Sequence, residues 1–419
     1  MTYISGQTSF VKTNGNSLEM DGSRYCFLGT NFWYGMNLGS EGEGGNRARL
    51  LRELDHLHTL GITNLRIMGA SEGPDNQPWR MLPSLQTAPG EFNNDLFKGL
   101  DFLLWEMGKR QMVAVICLNN FWPWSGGMAQ YMAWETGDSI PYPPPAEGGD
   151  WLSYQLFTAK FYANPAARNR FEAFLKVLLD RKNAYSGKAY RNDPTIMAWE
   201  VANEPRGILS GKKYREWVEQ TAQLIKSHAP NHLITIGSEG WTPSRFAGNH
   251  FKKDHLLPNI DYATLHIWVQ NWGWYDPQKA EISYPKAIAK AKKYLRKHLR
   301  QAQQMGIPVV LEEFGISRDL DDHDPASSTT IRDQFYSEMF EEIVQQAEKG
   351  RIAGCNFWAW GGEGRPRSPK TVWKAGDDFI GDPPHEYQGW YSVYDKDKST
   401  LRILKTYVQK LADITKKKK

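Results

Sequence analysis

The residues best placed to do chemistry are two glutamates. One lies in "PTIMAWEVANEPRG", residues 194–207, where a β-type apolar run, Thr195 to Trp199, turns polar at Asn203 and Glu204 and is stopped by Pro205. The other lies in "PVVLEEFG", residues 308–315, an apolar run that ends on Glu312 and Glu313. A single carboxyl group at a strand end commonly serves an ion pair or a helix cap. Two of them from different strands, one beside an amide, suit glycoside cleavage. There, one carboxyl group protonates the leaving oxygen and the other acts on the anomeric carbon or on water. Alternation along a strand sends Glu312 and Glu313 to opposite sides, and Glu313, nearer the strand end, is expected to face the cavity. Glu204 is then the expected proton donor, with Asn203 beside it to hydrogen-bond a ring hydroxyl.

These residues need a scaffold that brings strand ends together. Short apolar runs fall near 25–32, 62–69, 112–119, 195–203, 233–238, 261–268, 308–315 and 352–360. Few charges interrupt them, as in strands buried on both faces of a parallel sheet. Helical patterns alternate with them at 47–61, 94–111, 167–185, 214–229, 284–306, 330–350 and 399–414, and the link 239–260 is irregular with one short helical turn. Gly61, Gly306 and Gly350 stand where left-handed residues end helices. The pattern predicts an α/β fold: a single (β/α)8 TIM barrel over residues 1–419, with long βα loops and a short N-terminal hairpin turning at "NGN". "PYPPPAEGGD", 141–150, reads as a loop after the third strand and not as a domain boundary.

Barrels of this kind carry their reactive groups at the C-terminal strand ends. The second strand ends with Arg66, the third leads into Asn119, Asn120, Trp122 and Trp124, the sixth ends with His266 and Trp268, and the eighth carries Trp358 and Trp360. Trp358 is expected as a sugar platform, and alternation sends one of Trp358 and Trp360 outward onto helices. Arg66 beside Glu313 is expected to lower its pKa, while burial and the charge of Glu313 are expected to raise that of Glu204.

Composition narrows the function classes. With 51 basic and 47 acidic side chains the net charge is only +4, which gives no electrostatic case for nucleic acid. The one basic run, "KKKK" at 416–419, reads as a solvated tail. The 17 Trp, 19 Tyr and 18 Phe hint at stacking on sugar faces. Cys26, Cys117 and Cys355 sit in apolar runs, an odd count without zinc spacing, so they read as core residues. His266 has no partners at metal-ligand spacing and no Gly-rich phosphate loop follows a strand, so neither a metal nor a cofactor is expected. No apolar run is long enough to span a membrane, and "MTYISGQTSF" does not read as a signal peptide. A soluble protein is expected, secreted or periplasmic if an export signal has been removed.

With these residues in hand, the chain resembles glycoside hydrolase family 5. "NEP" (203–205), "LHIW" (265–268), "LEEFG" (311–315) and "NFWAW" (356–360) match that family in order. It is most similar to subfamily 7, the β-mannan-degrading enzymes, through "GTNFWY" (29–34), "NNFWPWSGGMAQYMAW" (119–134) and "KAGDDFIGDPPHEYQGWYSVYD" (374–395). The resemblance implies a retaining hydrolase of β-1,4-linked mannose in mannan or manno-oligosaccharides. It makes Glu204 the acid/base and Glu313 the nucleophile. Arg66, Asn203, His266 and Trp358 support the reacting sugar, and Asn119, Trp122 and Trp33 are further substrate-binding candidates from the shared stretches. One position departs from the family pattern: Trp268 stands where many members carry a Tyr bonded to the nucleophile. The long loop after the eighth strand, 361–390, resembles that of exo-acting members and is expected to close the non-reducing side, with Trp373, Asp377 and Asp378 near the terminal sugar. An endo-mannanase, a β-glucanase of the same clan and a non-catalytic carbohydrate-binding barrel are the alternatives. Two mutually repelling carboxylates would gain a pure binder nothing, which counts against the last.

Overall fold

The structure is a computed structural model that describes residues 9–242, 244 and 246–416; of the lysine run, 417–419 lie outside the described residues. Eight parallel strands carry the fold: β1 (Phe27–Asn31), β2 (Asn64–Met68), β3 (Val113–Cys117), β4 (Ile196–Glu200), β5 (Leu233–Thr235), β6 (Ala263–Ile267), β7 (Val309–Phe314) and β8 (Gly354–Phe357). They pair in the order β5-β4-β3-β2-β1-β8-β7-β6. The seam between β5 and β6 is bridged by Asp261 N–H to Ile234 C=O at 2.8 Å and His266 N–H to Glu239 C=O at 3.2 Å, which closes the cylinder. Every strand position is buried, so no strand shows an alternating pattern.

Each strand leads to an outer helix: α1 (Arg47–Leu60), α2 (Asn94–Lys109), α3 (Pro165–Asp180), α4 (Gly211–His228), the short α5 (Phe251–His255), α6 (Ala280–Met305), α7 (Thr330–Glu348) and α8 (Lys398–Lys416). Their ends follow capping chemistry. The Asn46 side chain accepts from Arg49 N–H at the start of α1, Pro165 follows the Asn164 cap of α3, and Gly61 and Gly306 end α1 and α6 in left-handed conformations. The pattern expected to run helical to 185 stops at Asp180. The reason is the buried Asp101, whose carboxyl group accepts from Arg181 and from Tyr190 O–H, and whose carbonyl accepts from Asn183 Nδ2. These bonds draw the following segment into a turn.

The N-terminal hairpin has the expected turn at Gly15, φ +54°. Its Val11 and Leu18 pack with Phe27, Val113, Met197 and Val310 in a small cluster inside the cylinder, and the larger core fills the space between strands and helices. Two helices in the loop after β3, Gly127–Thr136 and Trp151–Ala159, have no counterpart in the sequence reading. Residues 127–132 of the first are all buried, so it lacks an amphipathic stripe. Among the described residues no helix is long and apolar enough to cross a membrane.

Candidate active site

The C-terminal end of β4 builds the first half of the site. Past Glu200 the chain stays tied to its neighbours, Asn203 N–H to Asn119 C=O and Glu204 N–H to Gly237 C=O, both at 2.9 Å. These bonds hold Glu204 at φ +48°, a left-handed conformation that a non-glycine residue adopts at a cost of roughly 1–3 kcal/mol. Its side chain reaches the barrel mouth. Gly237, φ +82°, must be glycine, because a Cβ there would collide with Ala202 O and the Glu200 carboxyl group.

The second half comes from β7, and here strict alternation fails. In the pairing with β6, Leu265 faces Leu311 but His266 faces Glu313, so Glu312 is an extra, bulged residue. Glu312 is therefore not sent outward to the helices. Its Oε2 lies 3.8 Å from Arg66 Nε and 3.5 Å from His266 Nε2. Glu313 accepts a short hydrogen bond from Arg66 Nη1, and its other oxygen lies 3.3 Å from His266 Nδ1.

Arg66 and His266 knit the two halves together from below. The Arg66 guanidinium grips Glu200 with two hydrogen bonds, 2.7 and 2.6 Å, and donates to Asn31 Oδ1 at 2.9 Å and Asn203 Oδ1 at 2.8 Å. His266 Nδ1 lies 2.6 Å from Glu204 Oε1. Glu204 also accepts from the indole N–H of Trp122 at 2.6 Å and of Trp268 at 3.2 Å. Trp268 thus serves Glu204, not Glu313. One ligand atom from each of Glu204, His266 and Glu313 lies within 4.8 Å of the others, the one such grouping of potential metal ligands among the described residues. Sequence spacing could not reveal it, since the three come from separate strands. The histidine and the guanidinium already engage these carboxylates directly.

The electrostatics of the pair run opposite to the sequence expectation. Burial pushes Glu204 up, but the His266 hydrogen bond and charge, with Arg206 and Trp122, overcome it and hold Glu204 below the ordinary glutamate value. Burial pushes Glu313 up to about 7 against the pull of His266 and Arg66, aided by the like charges of Glu204 and Glu200. His266 is raised to about 10 despite its burial, because Glu313, Glu204 and Glu312 surround it. The sequence reading counted burial and the neighbouring carboxylate but not the imidazole between them.

Above this layer lies a cavity of about 560 Å³, lined by Asn203, Glu204, Glu313, Trp122, Trp268 and Trp358 among the expected residues. Trp358 meets Trp268 edge-on at 5.7 Å, forming an aromatic corner. Trp360 is the outward one of its pair: its indole N–H donates to Glu53 of α1 at 2.8 Å. Arg66 and His266 sit behind the lining. Besides these two, five expected substrate contacts are not in it. Asn119 is buried under the mouth and holds backbone. Trp33 donates its indole N–H to Gly381 C=O at 3.0 Å. Trp373 stacks on Phe379 at 4.9 Å. Asp377 accepts from Lys374 N–H at 2.9 Å. Asp378 is exposed and accepts from Arg365 N–H at 3.0 Å. Of the long loop only its far part reaches the cavity, through Pro383, His385, Glu386, Tyr387 and Trp390. The sequence reading missed these last four and Trp151, Arg206, Glu239 and Trp272. Arg206 follows the "NEP" directly and was the one with a local signal.

A closed (β/α)8 cylinder with two glutamates converging over one aromatic-walled cavity defines a barrel glycoside hydrolase. Comparison with known proteins agrees. Residues 8–416 match the family described as GH family 5 beta-mannosidase-like. A crystal structure of a glycoside hydrolase family 5 mannosidase from Rhizomucor miehei superposes with a TM-score of 0.91 at 39% identity, covering 98% of this chain and 99% of that one. A mutant of that enzyme, solved in complex with mannosyl-fructose, superposes equally well (TM-score 0.91, 39% identity, 97% and 98% covered). Mannan endo-1,4-beta-mannosidase 1 of Oryza sativa subsp. japonica is 30% identical over 85% of this chain and 79% of its own length. The chain belongs to glycoside hydrolase family 5, in its β-mannosidase-like group.

Proposed function

We propose that the protein hydrolyses β-1,4-mannosidic linkages in mannan or manno-oligosaccharides with retention of anomeric configuration, releasing mannose from a chain end. The observation that carries the mechanism is the convergence of Glu204 and Glu313, one oxygen of each lying within 4.8 Å of one oxygen of the other. An inverting enzyme keeps its carboxyl groups roughly 6.5–9.5 Å apart to admit a water, whereas a retaining one holds them about 5–5.5 Å apart. Glu313, oriented by Arg66, attacks the anomeric carbon while Glu204 protonates the leaving oxygen. Water, deprotonated by Glu204, then cleaves the glycosyl ester.

Exo action is supported by a contact between loops across the cavity rim. The His385 ring of the loop after β8 meets the Trp151 ring of the loop after β3 edge-on at 6.1 Å, so two loops touch across the rim. Glu386 stands beside them with one carboxyl oxygen lacking a hydrogen-bond partner. Endo action is the second reading, favoured by the endo-1,4-beta-mannosidase names of the curated relatives. Early products from mannohexaose decide between them: mannose alone is expected, and mannobiose with mannotriose would establish the endo reading. Activity on galactomannan but not on carboxymethyl-cellulose separates both from a β-glucanase.

A further inference from the structure

The site poses a problem of proton supply. Glu204 must hold a proton to protonate a leaving oxygen, yet two indole N–H donors and the imidazole at its Oε1 favour its ionised form. The bulge in β7 places a group that bears on this. Glu312 Oε2 and His266 Nε2 are both buried, neither has a hydrogen-bond partner, and they face each other at 3.5 Å. On the other side of the ring, Nδ1 lies 2.6 Å from Glu204 Oε1. The imidazole thus stands between two carboxyl groups, Glu312 at Nε2 and Glu204, which lines the cavity, at Nδ1.

We propose that Glu312 is a positioning residue for the acid step: it keeps a proton on His266 Nε2, so that the proton exchanged with Glu204 is the one on Nδ1. In the resting site His266 carries both protons and Glu204 none, which agrees with the raised imidazole and the lowered carboxyl group. Transfer breaks the Nδ1–H bond and forms Oε1–H. The ring becomes neutral with its remaining proton facing Glu312, Glu204 becomes the acid, and no proton is drawn from solvent. In the second half-reaction Glu204 takes a proton from water and returns it to Nδ1. Were Nε2 to lose its proton instead, the Nδ1 proton would stay on the ring and Glu204 would remain ionised.

The surroundings are accounted for on every side. His266 faces Glu204, Glu313 and Glu312. Glu312 faces His266 and Arg66 within ion-pair distance, with Glu200, His255 and Tyr262 further off. Arg66 is committed to Glu200, Glu313, Asn31 and Asn203, and lies 3.8 Å from Glu312. Of His266 and Arg66, His266 Nε2 lies nearer the Glu312 oxygen, 3.5 against 3.8 Å.

The inference rests on the proposed hydrolysis, and its test separates the two. In Glu312→Gln, kcat/KM on mannobiose, whose leaving sugar needs protonation, is expected to fall about 10- to 100-fold, within the range of general acid catalysis. On 2,4-dinitrophenyl β-mannoside, whose leaving group needs no proton, it should change less than about threefold, since the acid term is then absent. Equal losses on both substrates, or no loss on either, would overturn the proposal. Neutron diffraction from deuterium-exchanged wild-type crystals addresses the same point without a variant. A deuteron on His266 Nε2 is expected, and a bare Nε2 would overturn the assignment. Failure of the wild-type enzyme on both mannosides would refute the hydrolase reading while the neutron map still decides the role of Glu312.

Discussion

The mouth of the barrel has two zones built on different principles. The lower zone, from β2, β4, β6 and β7, is a ring of charged side chains in which Arg66 alone makes hydrogen bonds to Glu200, Glu313, Asn31 and Asn203. The upper zone, from the loops after β3, β6 and β8, is mostly aromatic; its rings meet edge to face, and the indole N–H groups of Trp122, Trp268 and Trp390 are tied to carboxylates. Charges set in rigid strands fix where protons and the nucleophile stand. Rings on loops shape the space around a sugar and allow it to vary. On the proposed reading, chemistry belongs to the lower zone and specificity to the upper one.

Substitutions in the two zones should therefore differ in the size and kind of their effects. The largest effects belong to the charged ring: Glu313→Ala and Glu204→Ala should each lower kcat/KM on a natural mannan substrate by about 10³- to 10⁵-fold with unchanged circular dichroism. Near-normal rates in either would end the assignment. Next comes pH. Glu313 must lose its proton to attack, and burial raises it to about 7. The acid limb of the kcat/KM profile should therefore lie well above the ordinary glutamate value, with activity rising as pH increases towards neutrality. A limb at or below the ordinary value would show that Arg66 outweighs burial. In the upper zone, Trp358→Ala should cost about 1–2 kcal/mol of transition-state binding, roughly 5- to 30-fold in kcat/KM. Trp122→Phe keeps a ring but removes the N–H at 2.6 Å from Glu204. A loss of about 1–2 kcal/mol, seen in kcat and in the pH profile more than in KM, is expected. The smallest effect should come from Asp321→Ala, which frees the Trp390 indole N–H (2.9 Å) and Gln270 (2.8 Å) from one carboxyl oxygen. KM should rise about two- to fivefold with kcat unchanged, the cost of roughly one hydrogen bond.

The same division decides what was legible in the sequence. The strands were legible because each is short and buried on both faces, and the pair Glu204 and Glu313 followed from the strand ends. Glu312 was misjudged because a bulge depends on how β7 pairs with β6, and that pairing leaves no local mark. The lowered Glu204 was missed for a related reason, since its partner His266 comes from a strand not adjacent in the chain. In the upper zone aromatic content was visible but placement was not. Trp33 and Trp373 resemble Trp151 and Trp390 in sequence, yet the first two pack within or tether the loop after β8 while the others line the cavity. That choice is made by loop packing, on which single-sequence patterns bear little.

Glu204 and Glu313 are proposed to act together across one glycosidic bond by double displacement. Proton NMR of the first turnovers on a manno-oligosaccharide, read before mutarotation, tests it most directly. The newly formed reducing end is expected to appear as the β-anomer. First appearance of the α-anomer would mean inversion, and would contradict the roles given to both glutamates.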